Sequence, residues 1–452
     1  MFPLGIDLGT TFTGAALWRN GRAETVPLGQ QHRSDLVPSV LYWERDGTLL
    51  VGDNAWLRGA TDPARMAQRF KPLMGQSSPV ITGGTNHEPH ELTGHLLRWV
   101  LDTVSDLEGA RPGHVVLTHP AGWEDHRRQA LIQAASIAGL GDVGLLPEPI
   151  AAGTFYVSQQ RIVPVRPGAL IGIYDLGGGT FDATVVRKSE TGVEIYGEPD
   201  GNDLVGGIHF DDLLMEHVQE AAGVTDRFDL DDPTDEADRL RLMDDVIRAK
   251  EALSSLSDVV VPVRLPGVTR QVDITRAGFE ALIQPMIMDT IGVFADVLDR
   301  AGVSPAQLDA VLLVGGSSRI PLVTRLLEGE LGISVRTDAH SKHVVSLGAA
   351  IAAAPRHREA EVRRTPYAPA PTPAMAPEEG PELSVVADLE RTGLTAATDT
   401  RVHIVIEGQT VTVDTLRDGG TRRGGLGALV VVGLVLAVLA LVVVVAFQNR
   451  TT

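Results

Sequence analysis

A turn motif that occurs twice constrains this chain more than anything else in it. Gly5-Ile6-Asp7-Leu8-Gly9-Thr10-Thr11-Phe12 is echoed by Ile173-Tyr174-Asp175-Leu176-Gly177-Gly178-Gly179-Thr180-Phe181-Asp182. In each copy an apolar run ends at an Asp and gives way to a glycine-rich turn that carries threonine. Glycines let backbone N–H groups approach phosphate oxygens, and threonine hydroxyls add donors, so each copy has the make-up of an anion-binding nest. An Asp at the end of the strand is placed to hold the water shell of Mg²⁺, an ion that keeps several waters and seldom receives an all-protein cage. One such turn alone reads as readily as an ordinary connection between strands. Two copies, each with Asp-Leu-Gly and Thr-Phe, point instead to phosphate plus magnesium. No Gly-x-x-x-x-Gly-Lys-Ser/Thr occurs, and the second loop lacks the third glycine of Gly-x-Gly-x-x-Gly, so the P-loop and dinucleotide fingerprints are absent.

The 452 residues, 43% of them hydrophobic, supply enough apolar material for two or more lobes. Up to residue 355, short Val/Ile/Leu runs alternate with longer helical patterns, such as residues 114–118 before residues 124–138, which predicts mixed α/β lobes. A third glycine turn follows Val311-Leu312-Leu313-Val314 and continues Gly315-Gly316-Ser317-Ser318-Arg319-Ile320-Pro321. Here Ser317 or Ser318 is suited to cap a helix and Pro321 to enter its first turn. The flat backbone at Gly315 and Gly316, with the Arg319 side chain, is suited to cover an aromatic base. A net charge of −19 argues against a nucleic-acid partner, and the absence of cysteine excludes disulfides and thiolate metal sites.

The three motifs in this order resemble the two phosphate motifs and the adenosine motif of the actin-like ATPases. Their wording is similar to the nucleotide-binding domain of the seventy-kilodalton heat-shock chaperones, the DnaK-like proteins. Further matches are His119-Pro120-Ala121-Gly122-Trp123, Pro147-Glu148-Pro149-Ile150-Ala151-Ala152, Gly206-Gly207-Ile208-His209-Phe210-Asp211 and Ala249-Lys250-Glu251-Ala252-Leu253-Ser254-Ser255. The resemblance covers roughly residues 3–354 and implies a two-lobed actin-like α/β fold, with duplicated ribonuclease-H-like lobes, that binds ATP or ADP with Mg²⁺. It implies that Gly9, Thr10, Thr11, Gly177, Gly178 and Gly179 bind phosphates, completed by Thr180 and Asp182, while Asp7 and Asp175 organise the magnesium waters. Lys71, in Arg69-Phe70-Lys71-Pro72, matches the family's catalytic lysine, and Glu148 would orient the attacking water. Lys250, Ser254, Gly315, Gly316 and Arg319 would clasp adenosine. Only four of the 39 basic residues are lysines, at 71, 188, 250 and 342, so two of the four fall at nucleotide positions.

This chain departs from the family pattern at three places. Ile247 stands where the adenosine helix has an acid, Glu251 where it has a base, and Lys342 where the last connecting segment has an acid. The departures imply rearranged ribose and adenine contacts and a differently tuned closure of the lobes.

Beyond residue 355 the character changes. Residues 356–381 are charged and then rich in Pro and Ala, as an extended linker is. Residues 382–423 form a juxtamembrane segment in which Val402, Ile404 and Ile406, then Val411 and Val413, alternate about Glu407-Gly408-Gln409, predicting a β-hairpin. Residues 424–447 contain no charged residue and as a helix would extend roughly 36 Å, enough to cross a hydrocarbon core of about 30 Å. A short tail, 448–452, follows. Arg417, Arg422 and Arg423 precede the span and Arg450 follows it, which predicts a single-pass protein of the cell membrane with its ATPase domain in the cytoplasm. MFPLGIDLGTT does not read as a signal peptide.

The resulting expectation is a membrane-anchored, chaperone-like Mg-dependent ATP hydrolase that acts on an unidentified membrane or membrane-associated protein. The usual peptide-client binding is not expected, because the segment after residue 355 does not resemble the family's client domain. A non-hydrolysing nucleotide sensor or scaffold is the alternative, and a small-molecule kinase of the actin-like fold is the third reading.

Overall fold

The computed structural model describes residues 1–29, 34–159, 165–225, 227–228, 233–333, 335–336, 342–355, 400–406 and 409–415. The chain divides into two compact units, residues 1–367 and 368–452.

The first unit repeats one sheet plan twice. In its first half, Pro3–Leu8 pairs antiparallel with Phe12–Arg19, which pairs with Arg22–Thr25; on its other side Pro3–Leu8 pairs parallel with His114–His119, and that strand with Gly144–Pro147. In the second half, Leu170–Leu176 pairs antiparallel with Phe181–Lys188, itself paired with Val193–Asn202, and parallel with Ala310–Val314, which pairs with Val335–Arg336. Antiparallel neighbours need only a tight turn, and the two glycine loops are those turns; parallel neighbours need a crossover, and helices supply it. Pro89–Glu108 precedes His114–His119 of the first sheet, and Arg276–Arg300 precedes Ala310–Val314 of the second. Each half thus has the expected mixed α/β character, and the doubling gives the two-lobe plan.

Local chemistry sets the helices. Pro89–Glu108 starts at a reciprocal capping box between Glu88 and Glu91 and ends at Gly109 in the left-handed conformation, φ 65°. Between these ends Leu92, Leu96, Leu97, Val100, Leu101 and Val104 form one buried stripe at helical spacing. Arg276–Arg300 is, among the described residues, the one helix long and apolar enough to cross a membrane. Its Phe279, Ile283, Ile287, Ile291 and Phe294 are buried in the core of the second half, so it reads as a core helix. At the third glycine turn neither serine caps the following helix. Ser317–Arg319 form a 3₁₀ turn, the Ser318 hydroxyl donates back to the Gly315 carbonyl at 2.8 Å, and Pro321–Leu331 begins after Ile320 without a side-chain cap. The bond closes the tight turn locally, which leaves the serine unavailable to the helix.

A separate core joins the halves. Ala151, Ala152 and Phe155 of Glu148–Gln159 and Leu347, Ala349, Ala350 and Ile351 of Val344–Ala352 are buried together with Ile171, Ile173 and Val314. The helices approach so closely that a Cβ on Gly348 would lie 1.9 Å from the Ala151 carbonyl oxygen. This seam positions the site, because Glu148 opens one of its two helices.

In the second unit Thr400–Ile406 pairs antiparallel with Gln409–Thr415, in a register that sets Val402 opposite Val413 and Ile404 opposite Val411. The expected linker 356–381 and the expected span 424–447 lie outside the described residues.

Candidate functional site

The two glycine loops face one cleft of about 360 Å³ between the halves of the first unit. Asp7 and Asp175 are each the penultimate residue of a strand, so both carboxylates reach the cleft just where their chains turn. Gly9, Thr10 and Thr11 line it from the first half, and Gly177, Gly178, Thr180 and Asp182 from the second. The loops also approach each other, since a Cβ on Gly178 would lie 2.0 Å from Thr11 Oγ1. Thr11 Oγ1 is buried and makes no hydrogen bond among the described residues. A buried hydroxyl without a partner is costly, and this one lies against the Gly178 backbone, where an acceptor oxygen of a ligand would satisfy it.

Lys71 reaches this floor by an unusual backbone route. After the strand Met66–Gln68, Arg69 takes a left-handed conformation, φ 57°, Phe70 is buried, and Lys71-Pro72-Leu73 form a 3₁₀ turn. A non-glycine residue at positive φ pays a small steric cost, held here by the packing of Phe70. The Lys71 ammonium then donates to Glu148 Oε1 at 2.8 Å, and both side chains are largely buried. Glu148 is the first residue of its helix, where the helix dipole favours a carboxylate.

Four carboxylates, Asp7, Glu148, Asp175 and Asp182, line the cleft around that one ammonium. Burial and then the Glu148 charge push Asp7 up to about 6, although the Thr118 hydroxyl donates to its Oδ1 at 3.0 Å. The same causes push Asp182 up to about 7 and Asp175 well above the carboxylate range. Burial works against the Lys71 ammonium, but Glu148, Asp7 and Asp182 outweigh it and hold its pKa above the ordinary lysine value. The floor is therefore short of positive charge, which a cation would supply. Among the described residues no three His, Asp or Glu side chains are grouped to ligate a metal directly. That donor set fits an ion held through its waters and a ligand's phosphates, as Mg²⁺ is.

On the opposite wall Lys250 and Glu251 of Pro233–Leu253 and Ser254 just after it line the cleft with Gly315, Gly316 and Lys342. Lys250 pairs with Asp211 at 2.7 Å and donates to the Gly207 carbonyl at 2.9 Å, tying its helix to Gly207–Ala222. Gly179 and Arg319 are not among the lining residues. Gly179 packs behind Thr10, and Arg319 is exposed on its turn because the 3₁₀ geometry directs it away, while Arg248 of the facing helix reaches the cleft instead.

Sequence reasoning missed three participants. Thr118 stands beside Asp7 because Ile6 pairs with Leu117 across parallel strands. Ser39 donates to the Gly9 carbonyl at 2.8 Å and bridges to Thr13 at 2.9 Å, bracing the first loop. Asp211 neutralises Lys250; its place in the Gly-Gly-x-x-Phe-Asp motif was the available signal.

Comparison with known proteins accords with this geometry. The family model described as Hsp70 protein matches residues 3–82 and 78–364. Among curated proteins the chain is similar to the chaperone protein HscA of Serratia proteamaculans and that of Pectobacterium carotovorum, each 35% identical over 372 residues. It is also similar to HscA of Escherichia coli, 33% identical over 371 residues. In each case 77% of this chain is covered, and the chain spans 57% of the relative's length.

Proposed function

Because the chain belongs to the Hsp70 family, a family of ATP-binding chaperone-type proteins, we propose that it binds ATP with Mg²⁺ in this cleft and hydrolyses it slowly. The closure of its halves would then regulate a membrane-associated partner. One observation carries the reading: the buried Lys71–Glu148 ion pair sits on the floor where both glycine loops converge.

Thr10, Thr11 and the backbone of Gly177 and Gly178 hold the phosphates, with Thr180 and Asp182 completing the second loop; Gly179 is left out because it does not line the cleft. Asp7 and Asp175 hold the metal's waters. Lys71, a compact point charge, faces the terminal phosphate and the attacking water, which Glu148 orients. Bound Mg²⁺ supplies neutralising charge to the phosphate oxygens. Lys250, Ser254, Gly315 and Gly316 grip the nucleoside; Arg319 is left out because it does not line the cleft.

The membrane part of the proposal rests on the uncharged run of residues 424–447 and the arginines before it. Resistance of the full chain to alkaline extraction from membranes, with its ATPase domain accessible to protease from the cytoplasmic side, is the expected result.

The enzymatic part is tested by comparing ATP turnover of the full chain in detergent with that of Lys71→Ala and Asp175→Asn. Equal turnover in all three would sink the assigned roles. Tight ATP binding without turnover in the unaltered chain would favour the second reading, a nucleotide sensor, which Ile247, Glu251 and Lys342 on the nucleoside wall support.

A further inference from the structure

In a chain whose 39 basic residues include only four lysines, three of those four, Lys71, Lys250 and Lys342, line the cleft. Lys71 and Lys250 are matched to the buried acids Glu148 and Asp211. Lys342 is placed differently. Its stem runs over the third glycine turn, where a Cβ on Gly316 would lie 3.4 Å from Lys342 Cε. Its ammonium lies 5.6 Å from the centroid of the Phe12 ring and 3.4 Å from Glu251 Oε1.

These contacts join three separate segments. Phe12 opens the strand after the first phosphate loop, in the first half. Glu251 is on Pro233–Leu253, in the second half. Lys342 lies just before Val344–Ala352, the helix packed in the seam between the halves. All three line the same cleft, and the Lys342 and Glu251 side chains are 29% and 52% exposed. One flexible side chain thus touches both halves across the open edge of the cleft. A lysine suits such a contact, because a point charge on a four-carbon stem can part from a carboxylate and a ring face and re-form without the fixed fork an arginine needs.

We propose that Lys342 is a positioning residue that straps the mouth of the cleft: the Phe12–Lys342–Glu251 bridge must part before nucleotide leaves, and so sets the rate of nucleotide exchange. The proposal rests on the nucleotide reading of the cleft and adds to it a residue that controls release.

The experiment follows release of a fluorescent ADP analogue from the full chain in detergent by stopped flow, chased with unlabelled ADP at low and high salt. Lys342→Ala and Glu251→Gln should each speed release roughly three- to tenfold, as a partly exposed ion pair and cation–π contact allow. Added salt should speed release from the unaltered chain and have little effect on either variant. The double variant should be no faster than Lys342→Ala, since the two act through one bridge, and the exchanged pair K342E/E251K should recover slow release. Unchanged release in the single variants, or effects that multiply in the double variant, would overturn the strap. Weaker binding in Lys342→Ala alone, with Glu251→Gln indistinguishable from the unaltered chain, would also overturn it, making Lys342 a direct nucleotide ligand. An unaltered chain that holds no nucleotide would defeat the nucleotide reading and the strap together, whereas binding with unaltered release in the variants defeats the strap alone.

Discussion

The two walls of the cleft are built on opposite principles. The phosphate wall is buried, internally paired and present in two copies: each half contributes a strand ending in Asp-Leu-Gly, and the Lys71–Glu148 pair lies between them. On the nucleoside wall Lys250 is also buried, against Asp211, but the other charges are open to solvent, with Arg248 against Asp244 and Asp245, and Lys342 against Glu251, and of these Glu251 and Lys342 depart from the family pattern. The difference follows from what each wall must grip. Phosphates and a hydrated metal demand charge at fixed positions in a low dielectric, where a small displacement is costly. A flat base and a sugar are held largely by area and a few polar contacts, and other side chains can supply these.

The contrast is broken most directly at Lys71. Lys71→Ala is expected to cut ATP turnover about a hundredfold, the scale seen when one preorganised charge or donor is lost from a reacting centre. ADP affinity, measured by calorimetry, should change far less. A collapse of ADP binding with proportionate turnover would instead make Lys71 part of the grip.

A second test separates ligand fit from fold stability. Thr11→Val keeps the shape of the side chain and removes a buried hydroxyl that has no partner among the described residues. The nucleotide-free protein should gain about 1 kcal/mol, because an unsatisfied buried polar group is removed. Mg-ATP affinity should fall roughly tenfold, the equivalent of one charge-assisted hydrogen bond. Thermal unfolding with and without nucleotide reads both effects, and a loss of stability in the nucleotide-free protein would refute the assignment.

The acid-rich floor gives a pH signature of definite sign. Asp7, at about 6, and Asp182, at about 7, titrate above the ordinary Asp value of 3.8, and Asp175 is also raised. The folded state therefore binds more protons than the unfolded state between 3.8 and about 7. Over that window these groups make the metal-free protein less stable as pH rises. In EDTA the unfolding temperature should drop between pH 5.5 and 7.5, and Asp175→Asn should flatten the drop. Mg-nucleotide should bind more weakly at pH 5.5, because protons compete for the same carboxylates. Affinity independent of pH across this range would remove the metal role from Asp7 and Asp175.

The phosphate wall was legible in the sequence because each of its loops is contiguous: strand, Asp, glycine turn and threonine fall within a dozen positions, and the pattern repeats. What joins the loops was not. Lys71 and Glu148 are 77 positions apart and Thr118 and Asp7 are 111, so their contacts depend on strand order and register, and only the family resemblance pointed to the first pair. The left-handed Arg69 has no sequence signature, since the conformation is forced on it by the burial of Phe70. Arg319 lies off the cleft lining because a 3₁₀ turn and a regular helix start aim the same residue differently, and Ser318, which suggested a cap, is spent inside the turn. The departures at Glu251 and Lys342 were visible, but not that they meet at 3.4 Å.

The smallest effect sharpens the nucleoside wall. Arg248 lines the cleft and Arg319 does not, although the resemblance assigns the base to Arg319. Arg248 is exposed and shared with two acids, so its stacking on a base is worth only the lower end of an exposed cation–π contact. Arg248→Ala should weaken ADP binding about two- to threefold, with little change in the affinity for inorganic phosphate, which does not contact this wall. Arg319→Ala should leave ADP affinity unchanged. A larger loss from Arg319→Ala than from Arg248→Ala would mean that closure swings the third glycine turn over the base, restoring the family's arrangement in the nucleotide-bound state and confining the rebuilt part of this wall to Ile247, Glu251 and Lys342.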